Sequence, residues 1–243
     1  MYSRRTLPQA ISHRGLHATT PENSIPAFQA ALEAGAEGIE LDVHATIDGT
    51  VVVHHDFDVG INGDRIAIRT LDTAALSHVA LDGGIRIPTL DQVLEAILDR
   101  ASVYIEIKAA GMEADVVRCL KRHAHFIDNY AVHSFDHRTV KHVLEMMPSV
   151  RTGILQVGYP VDSVAAMRAA GATDLWQHVD FVDGRLVADV HARQGRLIAW
   201  TANSRNQWSR MSELGVDGIC TDDIDAYISW RYSLTPSDES TRR

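Results

Sequence analysis

The chain has 243 residues, 45% of them hydrophobic, and a formal net charge of −9 with histidines neutral. That length and balance fit one globular domain with a sizeable core, and the spread of acidic residues argues against nucleic acid, whose binding leaves a basic footprint. Cys119 and Cys220 stand far apart with no CxxC spacing, against a disulfide framework or zinc knuckle, and no run approaches the ~18 consecutive apolar residues of a membrane span.

The N-terminal segment "MYSRRTLPQA" has two arginines and no apolar run behind them, so it does not read as a secretory signal, and the cytoplasm is the expected compartment. Residues 9–13, "QAISH", form a short apolar strand. A polar loop, "HRGLHATTPENS", overlaps its end and leads to a helix over 25–35, with Pro26 in the first turn and Gly35 after the last. "GIELDVHATIDGTVVVHHD" reads as a strand, a turn at Asp48-Gly49 and a returning strand. Residues 57–86 are less regular and look like a small insertion. Beyond them, strands and helices alternate: helix 89–100, strand 102–108, helix 113–124, strand 130–135, helix 137–147, strand 150–156, helix 162–171, strand 173–177, helix 184–195, strand 196–200, helix 207–215, strand 216–221 and a last helix over 222–232. Eight such units in this length imply a (β/α)8 TIM barrel, an α/β fold with a small insertion after the second strand region. A doubly wound open sheet is the alternative, but the dinucleotide glycine fingerprint is absent after the first strand. The expected organisation is one catalytic domain over 1–232, with residues 233–243 a disordered tail.

In a barrel, polar residues at the C-terminal ends of strands converge on one mouth. Glu40 and Asp42 are two apart in "GIELDV", so both point to the face opposite Ile39 and Leu41. Inside a barrel, two carboxylates side by side need a cation or a proton; on an edge strand, the same pattern is a solvated face. Glu106 lies between Ile105 and Ile107, with Lys108 at the same parity. It is either half of an internal Glu106–Lys108 pair or a third ligand in an all-oxygen site for Mg2+ or Ca2+. His54 and His55 end the returning strand, where one of them must face inward. Beside Asp56 and opposite His13, such an imidazole suits acid/base work near neutrality. His133 and Ser134, Trp200 and Thr201, and Thr221 and Asp222 also fall at strand ends. His17, His44, His78, His123, His125, His137 and His142 read as surface residues.

Taken together, "HRG" (13–15), "PENS" (21–24), "AFQAALEAGAEGIELDV" (27–43), "DGTVVVHHD" (48–56), "IPTLDQVLE" (87–95), "IEIK" (105–108), "SFD" (134–136), "AWTAN" (199–203) and "GVDGICTDD" (215–223) resemble the glycerophosphodiester phosphodiesterase family. They stand in the family's order and span nearly the whole chain. The resemblance implies a TIM barrel with an insertion after "HD" and metal-dependent hydrolysis of glycerophosphodiesters to sn-glycerol 3-phosphate and an alcohol. It implies that Glu40, Asp42 and Glu106 hold the divalent cation and that His13 and His55 are the acid/base pair. Arg14 and Lys108 would contact phosphate, Glu22 and Asn23 would shape or contact the metal–phosphate site, and Trp200 would line the substrate pocket. The attacking group it implies is the substrate's own glycerol 2-hydroxyl. Departures are Ser24 where Thr is usual, the run "FDVGINGDRIAIRT" after "HD", and "TDDID" where an aromatic and a proline follow "TD". Two other readings remain: the same site acting on lysophospholipids, as a lysophospholipase D, and an inactive phosphate-ligand binding module. The sequence specifies neither the alcohol nor an oligomeric state.

Overall fold

The structure is a computed structural model, and it describes residues 7–234. The strands are β1 (Gln9–His13), β2 (Gly38–Ala45), β3 (Val51–Val53), β4 (Asp58–Ile61), β5 (Asp64–Ala67), β6 (Ser102–Ile107), β7 (Tyr130–Ser134), β8 (Arg151–Gln156), β9 (Asp174–His178), β10 (Arg196–Trp200) and β11 (Gly218–Thr221). The helices are α1 (Ile25–Glu33), α2 (Thr73–Leu76), α3 (Leu90–Ile97), α4 (Glu113–Arg122), α5 (His137–Met146), α6 (Ala165–Ala170), α7 (Gly184–His191), α8 (Arg205–Leu214) and α9 (Ile224–Leu234). Ser233 and Leu234, expected in the tail, complete α9; the remainder of that expected tail lies outside the described residues. No described helix is long and apolar enough to cross a membrane.

β1, β2 and β6 to β11 pair in parallel, and the β1–β2 ladder closes them into a barrel. This is the expected TIM barrel. Closure follows from the composition of the strands: side chains of alternate parity are apolar on both faces, so each strand must be covered inside and out. The outer parity, with Ile39, Leu41, Val103, Ile105, Val132 and Leu197, packs under the helices. The inner parity supplies a second core of Ile11, Tyr104, Ala131, Leu155, Trp176, Ile198 and Cys220. Large aromatic rings fit inside because small residues stand beside them. A Cβ on Gly38 would lie 2.9 Å from Cε2 of Tyr104 and 3.1 Å from Cγ1 of Ile11.

β3 runs antiparallel to β2 as the expected hairpin. The insertion that follows is more regular than its sequence suggests. β4 and β5 form a second hairpin, turned by Asn62 and Gly63, both at positive φ (53° and 92°), as a two-residue hairpin turn requires. Val59, Ile68, Leu76 and Val79 bury themselves against Val52 of β3, giving the insertion its own small core.

Gly38→Ala should destabilise the fold by about 1–3 kcal/mol, the usual cost of forcing a methyl group into a filled core. Urea denaturation would measure it, and an unchanged midpoint would show that the Tyr104 ring moves aside freely.

Candidate functional site

The parallel registers decide which side chains meet. His13 lies beside Glu40, Asp42 beside Glu106, and Glu106 beside His133. All point inward near the C-terminal ends of their strands. They open into a cavity of 320 Å3 lined by His13, Arg14, Glu40, His55, Glu106 and Lys108 on one side, and by His133, Phe135, Trp176 and Trp200 among others on the other. The division follows strand order. The acids and bases come from β1, β2, β6 and the end of β3, whereas the rings come from β7, β9 and β10.

Glu40 is 2% exposed, Asp42 0% and Glu106 7%. The edge-strand alternative for Glu40 and Asp42 is therefore excluded, and the cluster must be neutralised from within. Asp42 Oδ2 forms an ion pair with Arg14 Nε at 3.0 Å. Lys108 Nζ lies 3.2 Å from Asp42 Oδ1 and 2.9 Å from Glu106 Oε1, so the Glu106–Lys108 pair is present and extends to Asp42. Burial raises the pKa of Asp42, but Arg14 and then Lys108 outweigh it and leave the carboxyl below its ordinary value. Glu40 meets imidazoles instead: His13 Nε2 stands 3.8 Å from its Oε2, and His133 Nε2 stands 3.7 Å from its Oε1. Burial, and then the charge of Asp42, push its pKa up, and its Oε2 is buried without a hydrogen bond. That orphaned oxygen, among carboxylates, fits a site that takes a divalent cation. Among the described residues, Glu40, Glu106 and His133 each offer a ligand atom within 4.8 Å of the others.

The loop "HRGLHATTPENS" is shaped by left-handed backbone. Arg14 (φ 59°), Gly15 (φ 86°) and Asn23 (φ 55°) all take positive φ. A Cβ on Gly15 would meet the carbonyl carbon of Ala27 at 2.7 Å, so only glycine lets the chain turn under α1. Ser24 caps α1, its Oγ accepting from the backbone N–H of Ala27 at 3.4 Å. Asn23 donates from Nδ2 to Asp42 Oδ2 at 2.9 Å, and its Oδ1 accepts from the Asp42 backbone N–H at 3.2 Å. Glu22 accepts from Arg14, at 3.1 Å from Nη1.

Both candidate acid/base histidines are held through Nδ1 by an aspartate. His13 Nδ1 donates to Asp222 Oδ1 at 2.5 Å, and Asn203 Nδ2 holds Asp222 Oδ2 at 2.5 Å. His55 Nδ1 donates to Asp56 Oδ1 at 3.0 Å, and Asp56 is tied to Arg65 of the insertion at 2.9 Å. In each ring Nε2 is the nitrogen not held by the aspartate, and that of His13 lies 3.8 Å from Glu40 Oε2. Burial works to lower the pKa of His13, but the bond to Asp222 and the charge of Glu40 outweigh it and raise it. Burial likewise acts to raise Asp222, yet its contacts with His13, His17 and Asn203 hold it well below the carboxylate range.

Residues 13–226 match the sequence profile of the Glycerophosphoryl diester phosphodiesterase family. The chain belongs to that family. The glycerophosphodiester phosphodiesterase of Caldanaerobacter subterraneus subsp. tengcongensis is 35% identical over 235 residues, covering 90% of this chain and 96% of the relative. The enzyme of the same name from Bacillus altitudinis is 30% identical, over 94% of this chain and 100% of its own. Among solved structures, a glycerophosphodiester phosphodiesterase from Parabacteroides distasonis superposes with a TM-score of 0.82 at 26% identity, over 93% of this chain and 97% of the other. An Oleispira antarctica phosphodiesterase, solved in complex with the product sn-glycerol-3-phosphate, shares the fold with a TM-score of 0.81 at 22% identity, over 93% and 97% of the two chains.

This family member also carries site residues to which the sequence assigns no role. His133 is 1% exposed, and burial pushes its pKa down to about 4; its register beside Glu106 is the signal that finds it. Asp222 was visible only as a strand-end acid. His44, expected at the surface, is buried, and its Nε2 donates to the His55 carbonyl at 3.2 Å. It shares the parity of Glu40 and Asp42, and that period was the available signal. His17, also expected at the surface, is half-buried with Nε2 3.6 Å from Asp222 Oδ1.

In cation-free protein, Asp222→Asn should lower the pKa of His13, read from the NMR titration of its ring protons. The raised His13 value stabilises the fold fully below 6.5, the ordinary value, and this is lost as pH rises through the folded pKa. The depressed Asp222 value stabilises above 3.8 and is lost as pH falls through the folded pKa. The melting-temperature deficit of Asp222→Asn should therefore be greatest between about pH 4 and 6 and shrink above neutrality. A deficit independent of pH would dismiss the pair as a source of stability.

Proposed function

We propose that this chain hydrolyses glycerophosphodiesters to sn-glycerol 3-phosphate and an alcohol, with a divalent cation held by Glu40, Asp42 and Glu106. The observation that carries this reading is the meeting of Glu40 and Glu106 with two aspartate-backed histidines in one cavity, with Asp42 buried beside Glu106, in a member of this family. Relatives named glycerophosphodiester phosphodiesterase at 30–35% identity support the substrate class. The same reading takes residues 1–232 as one catalytic domain, with 57–86 as an appendage that steadies His55 through Arg65 and Asp56.

A phosphodiester is an anion attacked by an electron-rich oxygen, so the site must hold positive charge where negative charge gathers. When bound, the cation polarises a phosphoryl oxygen and offsets that charge. Arg14 and Lys108, which neutralise Asp42 and Glu106, also line the cavity and would contact phosphate there. His13, its Nδ1 bound to Asp222, would give a proton from Nε2 to the departing alkoxide. His55 would take the proton of the attacking hydroxyl through its own Nε2 as the new P–O bond forms, before the alkoxide leaves. Where that hydroxyl is the substrate's own, a water adds to the resulting cyclic phosphate in a second step and opens it to sn-glycerol 3-phosphate. Asp222 and Asp56 fix the two rings so that the same nitrogen faces the cavity in each. Trp200, with Phe135 edge-on at 5.5 Å, walls the side away from the acids.

A second reading keeps the site and changes the substrate to a lysophospholipid. The sequence shows no exposed apolar helix to receive an acyl chain. The loops after β7, β8 and β9 nonetheless expose Phe135, Val157, Tyr159, Val161 and Phe181, an apolar rim on the catalytic face.

A panel of glycerophosphocholine, glycerophosphoethanolamine and lysophosphatidylcholine, each with and without EDTA, separates the readings. Cation-dependent release of sn-glycerol 3-phosphate from the first two is the expected result; turnover confined to lysophosphatidylcholine favours the second. Glu40→Ala, Asp42→Ala and Glu106→Ala should abolish turnover, and full activity in all three would reject the cation assignment. His13→Ala and His55→Ala should each lose about 10²–10⁴-fold in kcat with folding retained. Wild-type rates would remove that histidine from the chemistry.

A further inference from the structure

His133 sits inside the barrel on β7, and neither Nδ1 nor Nε2 makes a hydrogen bond among the described residues. A neutral imidazole has one N–H and one lone pair, and folds rarely bury both without partners. Two neighbours fix the ring without satisfying it. Trp176 stacks on its face, with centroids 4.4 Å apart and planes 16° apart, which sets the imidazole plane and leaves the in-plane nitrogens free. Glu40 Oε1 lies 3.7 Å from Nε2, too far for a hydrogen bond. That spacing has another meaning. Two donors each about 2.0–2.2 Å from one ion, at angles of roughly 90–120°, stand about 2.8–3.8 Å apart. Glu106 completes the group, its carboxylate beside His133 in the ladder and a ligand atom of each within 4.8 Å of the others.

We propose that His133 is a nitrogen ligand of the divalent cation, bound through Nε2 beside Glu40 and Glu106. This rests on the reading of those carboxylates as cation ligands and adds the identity of the ion. Carboxylates alone suit the hard ions Mg2+ and Ca2+. An imidazole shifts the preference toward first-row transition ions, so Mn2+ and Zn2+ bind ahead of Ca2+.

Pulsed EPR of the Mn2+-loaded protein resolves coupling to a directly bound 14N. Wild type should show that coupling, and His133→Gln should lose it while still binding Mn2+. By calorimetry, the ratio of Mn2+ to Ca2+ affinity should fall at least tenfold in the variant. Coupling that survives in His133→Gln belongs to another imidazole, such as His13, and overturns the proposal; an unchanged affinity ratio does the same. His133→Asn serves where the glutamine variant does not fold. A wild-type spectrum without bound nitrogen sinks the proposal whatever the variants do. Mn2+ bound through oxygen alone leaves the carboxylate reading standing, whereas no Mn2+ binding at all removes both.

Discussion

Glu40, Asp42 and Glu106 bring three nearly fully buried carboxylates together inside the barrel mouth, and the rest of the site answers to that constraint. Desolvated like charges repel and cannot be left alone. The chain meets the demand unevenly. Arg14 and Lys108 draw Asp42 and Glu106 into an ion-pair network, while Glu40 keeps an oxygen with no bonded partner. The imbalance locates the unmet positive charge within a few ångströms. It also explains the odd backbone of the first loop. Left-handed turns at Arg14 and Asn23 bring a guanidinium and an amide onto Asp42, which a regular strand-to-helix connection would carry past it.

The barrel sorts chemistry by strand. Adjacent strands β1, β2 and β6 present charge, and the strands that follow them around the ring present aromatic faces. A diester has two unlike ends joined by one phosphate, and a mouth divided in this way can hold both at once. Neither half is made by a single motif. The inward parity of each strand contributes one or two side chains, and the ladder registers align them.

Much of this was legible from residue order. Glu40 and Asp42 share a parity opposite to Ile39 and Leu41, and Glu106 interrupts an isoleucine run, so period and polarity alone pointed to an interior acid cluster. The alternation of strands and helices pointed to the closed barrel in the same way. What escaped was information held in pairings. His133 lies in a strand buried on both faces, where polarity does not say which way a side chain points until Glu106 is its neighbour. Asp222 acquires meaning only from His13, 209 residues away. The hairpin of β4 and β5 announces itself by Asn62-Gly63, but its flanking residues do not alternate in polarity, so the turn signal stood without its strands.

The bond from His13 to Asp222 also ties the orientation of one ring to the closure of the whole barrel. One partner ends β1, and the other follows β11, the strand that pairs with β1 around the ring. The two meet only when the first and last barrel strands lie side by side. The setting of the His13 ring is therefore a property of the closed barrel, and a change that loosens the β1–β11 seam reaches the mouth through this one contact.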